Sequence, residues 1–369
     1  MIEKRFRAPP GSRVHNAVLR RILTSDTVLR EEIGQFIGGI TLMPNNICNA
    51  KCIFCSYKFN IDPKRTMSLE LFQMALDSTL EMGHVGTVVL TPHAGEPLAD
   101  PRLFDKVDYA HKRGVERVIF TTNGILLGYN ENYKKIVDGG LYEVNISTPG
   151  LDRSAYERLF GVRKYDDVIA GIVKLAEYKS SRGDVCRTRI QLIVHLDRPF
   201  DVATQEEGWK IVQPYLDAGV LSLLGSSTDF DNWSGVIDAE ALPETMTIRH
   251  AEHDCSAPPC ERLIHDLAVL PDGKVRVCSC RYLRTDHDEL VIGDVTSASM
   301  KDIYYGDTHR ALIRRIAGGD WPEVCRTCSL YRPATMEPER MKRLYRIAIR
   351  DDDGTHWSNG FPTDPAVTE

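Results

Sequence analysis

Three cysteines set close together carry the strongest chemical signal in this chain: Cys48, Cys52 and Cys55, in the run Asn46-Ile47-Cys48-Asn49-Ala50-Lys51-Cys52-Ile53-Phe54-Cys55-Ser56-Tyr57. On one loop, gaps of three and then two residues let three thiolates reach three corners of a cube-shaped four-iron, four-sulfur (4Fe-4S) cluster. The fourth iron then has no protein ligand. Catalysis at a metal needs such an open position, whereas structural sites are usually closed by four ligands. A disulfide framework and zinc are the other fates open to three cysteines. The chain shows no signal-peptide pattern, which implies a reducing compartment and counts against disulfides. A zinc knuckle commonly pairs Cys-x2-Cys with a second such pair, which this loop lacks.

Six of the ten cysteines crowd into a later region: Cys255, Cys260, Cys278, Cys280, Cys325 and Cys328. Four of them make a coherent set. Cys260 precedes an expected hairpin, Leu267–Leu270 and Lys274–Val277 around the turn Pro271-Asp272-Gly273, which ends at Cys278. Cys325-Arg326-Thr327-Cys328 follows an expected helix, Met300–Ala317. Four thiolates would fully ligate a second 4Fe-4S cluster, and zinc also suits such a set. Cys255 and Cys280 are then spare, either as thiols that donate a hydrogen atom to a substrate radical or as inert packed residues. Cys186, alone at a strand start, reads as core.

The elements that must position these groups follow from periodicity. From Ile40 onward short apolar runs alternate with longer helical patterns, the signature of strand–helix units and a parallel sheet. Strands are expected at Ile40–Met43, Thr87–Leu90, Arg117–Thr121, Glu143–Ser147, Thr188–Leu196 and Val220–Leu224. Helices are expected at Ser68–Met82, Leu103–Arg113, Asn132–Asp138, Asp166–Arg182 and Glu206–Ala218, with Ser68 as an N-cap. Before them an apolar stripe through Val14, Val18, Ile22 and Leu23 predicts a packing helix. After the last cysteine, Glu337–Arg350 reads as a basic helix and the polar remainder as a mobile tail.

Composition bounds the rest. A chain of 369 residues with 42% hydrophobic content can bury a large core. A net charge of −6 and a pI near 6.0 argue against nucleic-acid or anionic-membrane partners. Apolar runs are strand-sized, short of the roughly 20 residues a membrane helix needs, so a cytoplasmic protein is expected.

The first cysteine loop resembles the hallmark of the radical S-adenosylmethionine (radical SAM) superfamily, Cys-x3-Cys-x-aromatic-Cys after the first strand of a partial barrel, with Phe54 as the aromatic residue. The resemblance implies an α/β fold with a partial (β/α)6 barrel, whose open iron is chelated by the amino and carboxylate groups of SAM. It also implies an external one-electron donor such as flavodoxin or ferredoxin. His93-Ala94-Gly95-Glu96-Pro97 is similar to the superfamily's Gly-Gly-Glu-Pro motif, which receives the SAM ammonium, and departs from it at Ala94. Gly95, Glu96 and Pro97 are therefore cofactor-binding candidates beside Phe54. Thr121-Thr122-Asn123-Gly124 resembles a further site-lining loop. Ser147 matches a strand-end position that bonds the SAM ribose, and Arg158 or Arg163 could meet its carboxylate. Cys260, Gly273-x4-Cys278 and Cys325-x2-Cys328 resemble the twitch module, a shortened SPASM domain that holds an auxiliary cluster.

Together these readings divide the chain into a helical lead (1–36), a radical SAM partial barrel (37–225), a linker (226–254), a small β-hairpin/helix auxiliary-cluster domain (255–332) and a C-terminal helix and tail (333–369). Acids in the linker, Asp229 and Asp231, suit an amine-bearing substrate. Hydrogen abstraction from a small polar molecule of the aminosugar or cyclitol kind, with dehydrogenation or epimerisation, is the expected activity. A peptide maturase and a non-catalytic metal protein are the rivals.

Overall fold

The computed structural model describes residues 9, 12–32, 39–83, 85–183, 186–233, 235–237, 239–249, 251–278 and 288–349. Two helices come first, α1 (Arg13–Thr24) and α2 (Asp26–Glu32). The barrel region then alternates β1 (Gly39–Leu42), α3 (Leu69–Leu80), β2 (Thr87–Val89), α4 (Leu103–Lys112), β3 (Arg117–Thr122), α5 (Asn132–Asp138) and β4 (Glu143–Pro149). It continues through α6 (Arg153–Phe160), α7 (Tyr165–Arg182), β5 (Arg189–His195), α8 (Glu207–Asp217) and β6 (Ser222–Ser227). All six strands pair in parallel in chain order, and β4 and β5 share the longest ladder, Glu143↔Arg189 through Pro149↔His195. Among the described residues the sheet does not close, as a partial barrel requires.

The expected N-cap is present: the Ser68 hydroxyl accepts from Leu71 N at 3.1 Å and holds the start of α3. Interior positions of the sheet, among them Ile40, Val88, Val118, Phe120, Ile146 and Leu192, are buried against Phe72, Leu76, Val107 and Ile172 of the flanking helices. Along β3 and β5 these positions alternate with partly exposed ones, so one face of the sheet packs on the helices and the other is left to line the barrel interior.

Beyond β6 the structure departs from a plain linker. Residues 229–249 contain β7 (Asp229–Asp231) and β8 (Thr247–Arg249), paired in parallel. Phe230, Ile237, Leu242, Met246 and Ile248 make a small apolar core with Leu159, against which Ile53, Phe54, Phe59 and Trp233 pack. The apolar residues of this stretch stand singly among polar ones without a regular period, yet five of them, with Leu159, make the core that packs it onto the cysteine loop.

The later hairpin joins the barrel sheet itself. After α9 (Arg262–His265), β9 (Asp266–Val269) pairs in parallel with β1, from Gly39↔Asp266 to Leu42↔Val269. β10 (Lys274–Val277) returns antiparallel to β9, and β11 (Val291–Asp294) completes a nine-stranded sheet. Gly273, at φ +96°, makes the turn that a Cβ would strain.

The expected helix Met300–Ala317 is two helices, α10 (Met300–Tyr304) and α11 (Asp307–Ala317), broken at Gly306. A Cβ at Gly306 would stand 2.5 Å from Asp302 O, so the tight chain reversal there requires glycine. α12 (Glu323–Arg326) carries Cys325, and α13 (Pro338–Ala348) packs Met341, Leu344 and Tyr345 against Val18, Leu19 and Ile22 of α1. The expected tail lies outside the described residues. Among the described residues no helix is long and apolar enough to cross a membrane.

Candidate active site

The cysteine loop leaves the end of β1 and is fastened on both sides. Lys51 N and Ile53 N donate to Phe160 O and Leu159 O at 2.9 and 3.0 Å, and Glu96 N donates to Ile47 O at 2.7 Å. Gly161, at φ +64°, allows the approach to Lys51, because a Cβ there would lie 2.8 Å from Lys51 O. Cys48, Cys52 and Cys55 line one cavity of ≈ 430 Å³. Burial pushes all three thiols up, Cys48 to about 11, and neighbouring cysteines add to the effect at Cys48 and Cys52. Thiols so placed carry negative charge only beside a cation, and the irons of a cluster meet that need. Among the described residues no three His, Cys, Asp or Glu side chains close up as they would around one ion. One thiolate per iron of a cube needs a wider spread than the ligands of a single ion.

The same cavity receives the His93–Pro97 loop. Glu96 is buried, 1% exposed, and accepts from Leu98 N at 3.0 Å, Thr122 Oγ1 at 2.7 Å and Asn123 N at 2.8 Å. Despite these bonds, burial pushes its carboxyl up to about 7. Three hydrogen bonds without a counter-ion leave the carboxylate under-compensated, and an ammonium group supplies what is lacking. Gly95 is required by space: a Cβ there would meet Pro92 at 2.9 Å and Asn45 Oδ1 at 3.0 Å. Pro97 opens the short turn behind Glu96, and Ala94 is accommodated as a buried residue. Asn123 does more than form a turn. Its side-chain amide donates to Asn49 Oδ1 at 2.7 Å and lies 3.8 Å from Cys48 Sγ, joining the glutamate loop to the cysteine loop.

At the ends of β4 and β5, Ser147 Oγ and His195 Nε2 lie 2.7 Å apart. The His195 ring stands 4.8 Å from that of Phe54 and 5.5 Å from that of Phe230, so burial pushes its pKa down to about 4 and the ring is neutral near pH 7. Its Nδ1 is buried without a partner. Sequence reasoning missed His195, because a histidine ending a strand has no spacing signature. Arg249 was missed in the same way, and it lines the cavity with Asp229, Asp231 and Trp233. Arg249 approaches Asp229 at 4.0 Å. Neither arginine expected at the SAM carboxylate lines the cavity: Arg158 is engaged by Asp197, and Arg163 is 92% exposed, 3.8 Å from Glu157.

The second cysteine set also converges. Cys260, Cys278, Cys325 and Cys328 line a tight cavity of ≈ 20 Å³ walled by Leu263, Leu290, Ile316, Trp321 and Tyr331. Burial pushes Cys260 up to about 11 and Cys325 further, with the neighbouring cysteines reinforcing both. Four thiols in an apolar pocket suit a fully ligated cluster. Cys255 lines neither cavity and sits beside Gly319 and Arg20. Cys280 lies outside the described residues.

The comparisons agree with this geometry. Residues 42–195 match the radical SAM superfamily, and residues 260–329 match SPASM, an iron-sulfur cluster-binding domain. A probable GTP 3',8-cyclase of Methanococcus maripaludis is 30% identical over 151 residues, 40% of this chain and 49% of the relative. The GTP 3',8-cyclase of Clostridium perfringens is 27% identical over 150 residues, 40% and 46% respectively. The chain thus spans about half the length of the curated relatives it matches. Among solved structures, Streptococcus suis SuiB bound to precursor peptide SuiA is 13% identical with a TM-score of 0.54, covering 78% of this chain and 69% of that one. That likeness bears on the fold alone. With three cysteines and a buried carboxylate at one cavity and four further thiols at another, the chain carries a radical SAM domain at residues 42–195 and a C-terminal SPASM-like iron–sulfur cluster-binding domain at residues 260–329.

Proposed function

We propose that this enzyme abstracts a hydrogen atom from a small polar, amine-bearing substrate of the aminosugar or cyclitol kind and so initiates its dehydrogenation or epimerisation. The observation that carries this reading is the wall formed by β7 and β8. Beside the SAM cradle it presents Asp229, Asp231 and Arg249 to the same cavity, where an ammonium and hydroxyl groups would find charged partners.

When bound, the N-terminal cluster and SAM supply methionine and a 5′-deoxyadenosyl radical. Cys48, Cys52 and Cys55 would hold the cluster, and Glu96 would take the SAM ammonium. Ser147, oriented by His195, offers its hydroxyl to the ribose. Phe54, Phe230 and Trp233 close the cavity against water, which limits stray hydrogen donors. Cys260, Cys278, Cys325 and Cys328 would hold an auxiliary cluster, which would supply an electron acceptor for the substrate radical, and a flavodoxin or ferredoxin would serve as external donor.

One observation favours a second reading, peptide modification. β6 is the terminal strand of the main sheet among the described residues, it exposes Leu223 and Leu224, and its last residue, Ser227, lines the cavity. An extended peptide could add to such an edge and enter the site. The test is incubation of the anaerobically reconstituted enzyme with perdeuterated aminosugars, aminocyclitols and peptides. Deuterium in 5′-deoxyadenosine from the first two supports the proposal, and deuterium from peptides alone overturns it.

A further inference from the structure

Arg276, in β10, is 1% exposed, an unusual position for a guanidinium. Its Nη1 donates to Cys278 O at 2.6 Å, and its Nε donates to Asp288 Oδ2 at 2.6 Å. Asp288 stands partly in solvent, at 23% side-chain exposure, and its other oxygen accepts from Leu290 N. The cation is therefore dry while its counter-ion is partly hydrated, so the pair does not cancel inside the protein. Cys278 itself has φ +68°, a left-handed conformation uncommon outside glycine, and the bond from Arg276 to its carbonyl helps to hold it there. At Cys325 the field of Arg276 opposes the fields of Cys260, Cys278 and Cys328.

A buried ion of this kind is costly, and a hydrophobic residue could fill the space. What a methyl-bearing side chain would not supply is a positive charge bonded to the Cys278 carbonyl whose field reaches Cys325. Reduction potentials of iron–sulfur clusters follow net charge, hydrogen bonding and exposure, and a fixed cation favours the state with one more electron. We propose that Arg276 sets the reduction potential of the cluster held by Cys260, Cys278, Cys325 and Cys328, raising it through a buried positive charge that Asp288 partly offsets. The inference rests on those four cysteines being the ligands and is independent of the substrate. The step concerned is addition of one electron to the cluster, with no bond made or broken.

The test is a potentiometric EPR titration with dithionite and mediators on the full chain carrying Cys48→Ala, Cys52→Ala and Cys55→Ala, which leaves the auxiliary cluster as the paramagnet observed. Arg276→Met is expected to move the midpoint to more negative potential, Arg276→Lys to stay near the parent, and Asp288→Asn to move it to more positive potential. Opposite shifts in the Arg276→Met and Asp288→Asn variants cannot arise from loosened packing, since water admitted to the cluster would move both the same way. Shifts of the same sign, or no shift in either at full iron content, overturn the proposal. Should Arg276→Met fail to retain iron, Asp288→Asn decides: a positive shift supports the proposal, and a negative or absent shift overturns it.

Discussion

Trp233 Nε1 donates to the carbonyl oxygen of Phe54 at 2.9 Å, across 179 residues of sequence. The next residue toward the N-terminus, Asn232, donates to Thr327 O at 3.0 Å, and Asp231 is bonded by the Ser329 hydroxyl. Three consecutive residues of the connector thus touch both cysteine loops, and the wall that β7 and β8 give the cavity is fastened to each of them.

Trp233→Phe keeps an aromatic ring and removes the donor. It is expected to lower substrate-dependent 5′-deoxyadenosine formation by about tenfold, in line with a hydrogen bond of about 1–1.5 kcal/mol at a positioning contact. SAM affinity and iron content should stay near the parent, as equilibrium dialysis and iron assay would show.

Asp229→Asn and Asp231→Asn test the substrate wall. Each should weaken substrate-dependent turnover by about 10- to 100-fold, the range for a lost charged hydrogen bond of about 1.5–3 kcal/mol. Slow SAM cleavage without substrate should be unchanged. An equal loss in both assays would move these carboxylates to the SAM side.

Glu96 and His195 predict opposite pH effects in the apo chain. The Glu96 carboxyl is raised from 4.5 to about 7, so the fold holds its proton longer than the unfolded chain, and this contribution is lost as pH rises from 4.5 through 7. His195 is lowered from 6.5 to about 4, so its contribution is lost as pH falls from 6.5 through 4. Relative to the parent, Glu96→Gln should therefore gain Tm as pH rises across its window, and His195→Gln should gain as pH falls across its own. SAM affinity should also decline below about pH 7 in the parent and lose that dependence in Glu96→Gln.

The ion pair of Lys106 and Asp100 is fully buried, and Lys106 also donates to Met67 O at 2.6 Å, tying the glutamate loop to the chain that leaves the cysteine loop. Lys106→Met alone leaves a buried carboxylate unpaired and should cost about 3–5 kcal/mol in denaturant unfolding. The double variant with Asp100→Asn should recover part of that loss.

The legible and hidden parts of this protein differ in sequence range. Cys48, Cys52 and Cys55 share one loop, Ser68 caps the helix that starts beside it, and β1 to β6 alternate with helices at regular distance, so local spacing is enough to read them. Gly95 and Glu96 were picked out through their likeness to the Gly-Gly-Glu-Pro motif, and both line the cavity of the three cysteines. His195, Arg249 and Arg276 were not. Each acquires its role from a partner or cavity assembled by the whole fold, and nothing at i+2 or i+4 marks it. The parallel pairing of β9 with β1 was hidden for the same reason: each strand is apolar in itself, and which edge accepts which strand depends on the assembled sheet.

The most direct measurement of the central claim is anaerobic incubation of the reconstituted chain with SAM and dithionite, with methionine and 5′-deoxyadenosine quantified together. The account predicts both products in equal amounts, with neither formed by the Cys48→Ala, Cys52→Ala, Cys55→Ala chain, which should keep about half of the iron. Intact SAM in the presence of a fully loaded N-terminal cluster would contradict it.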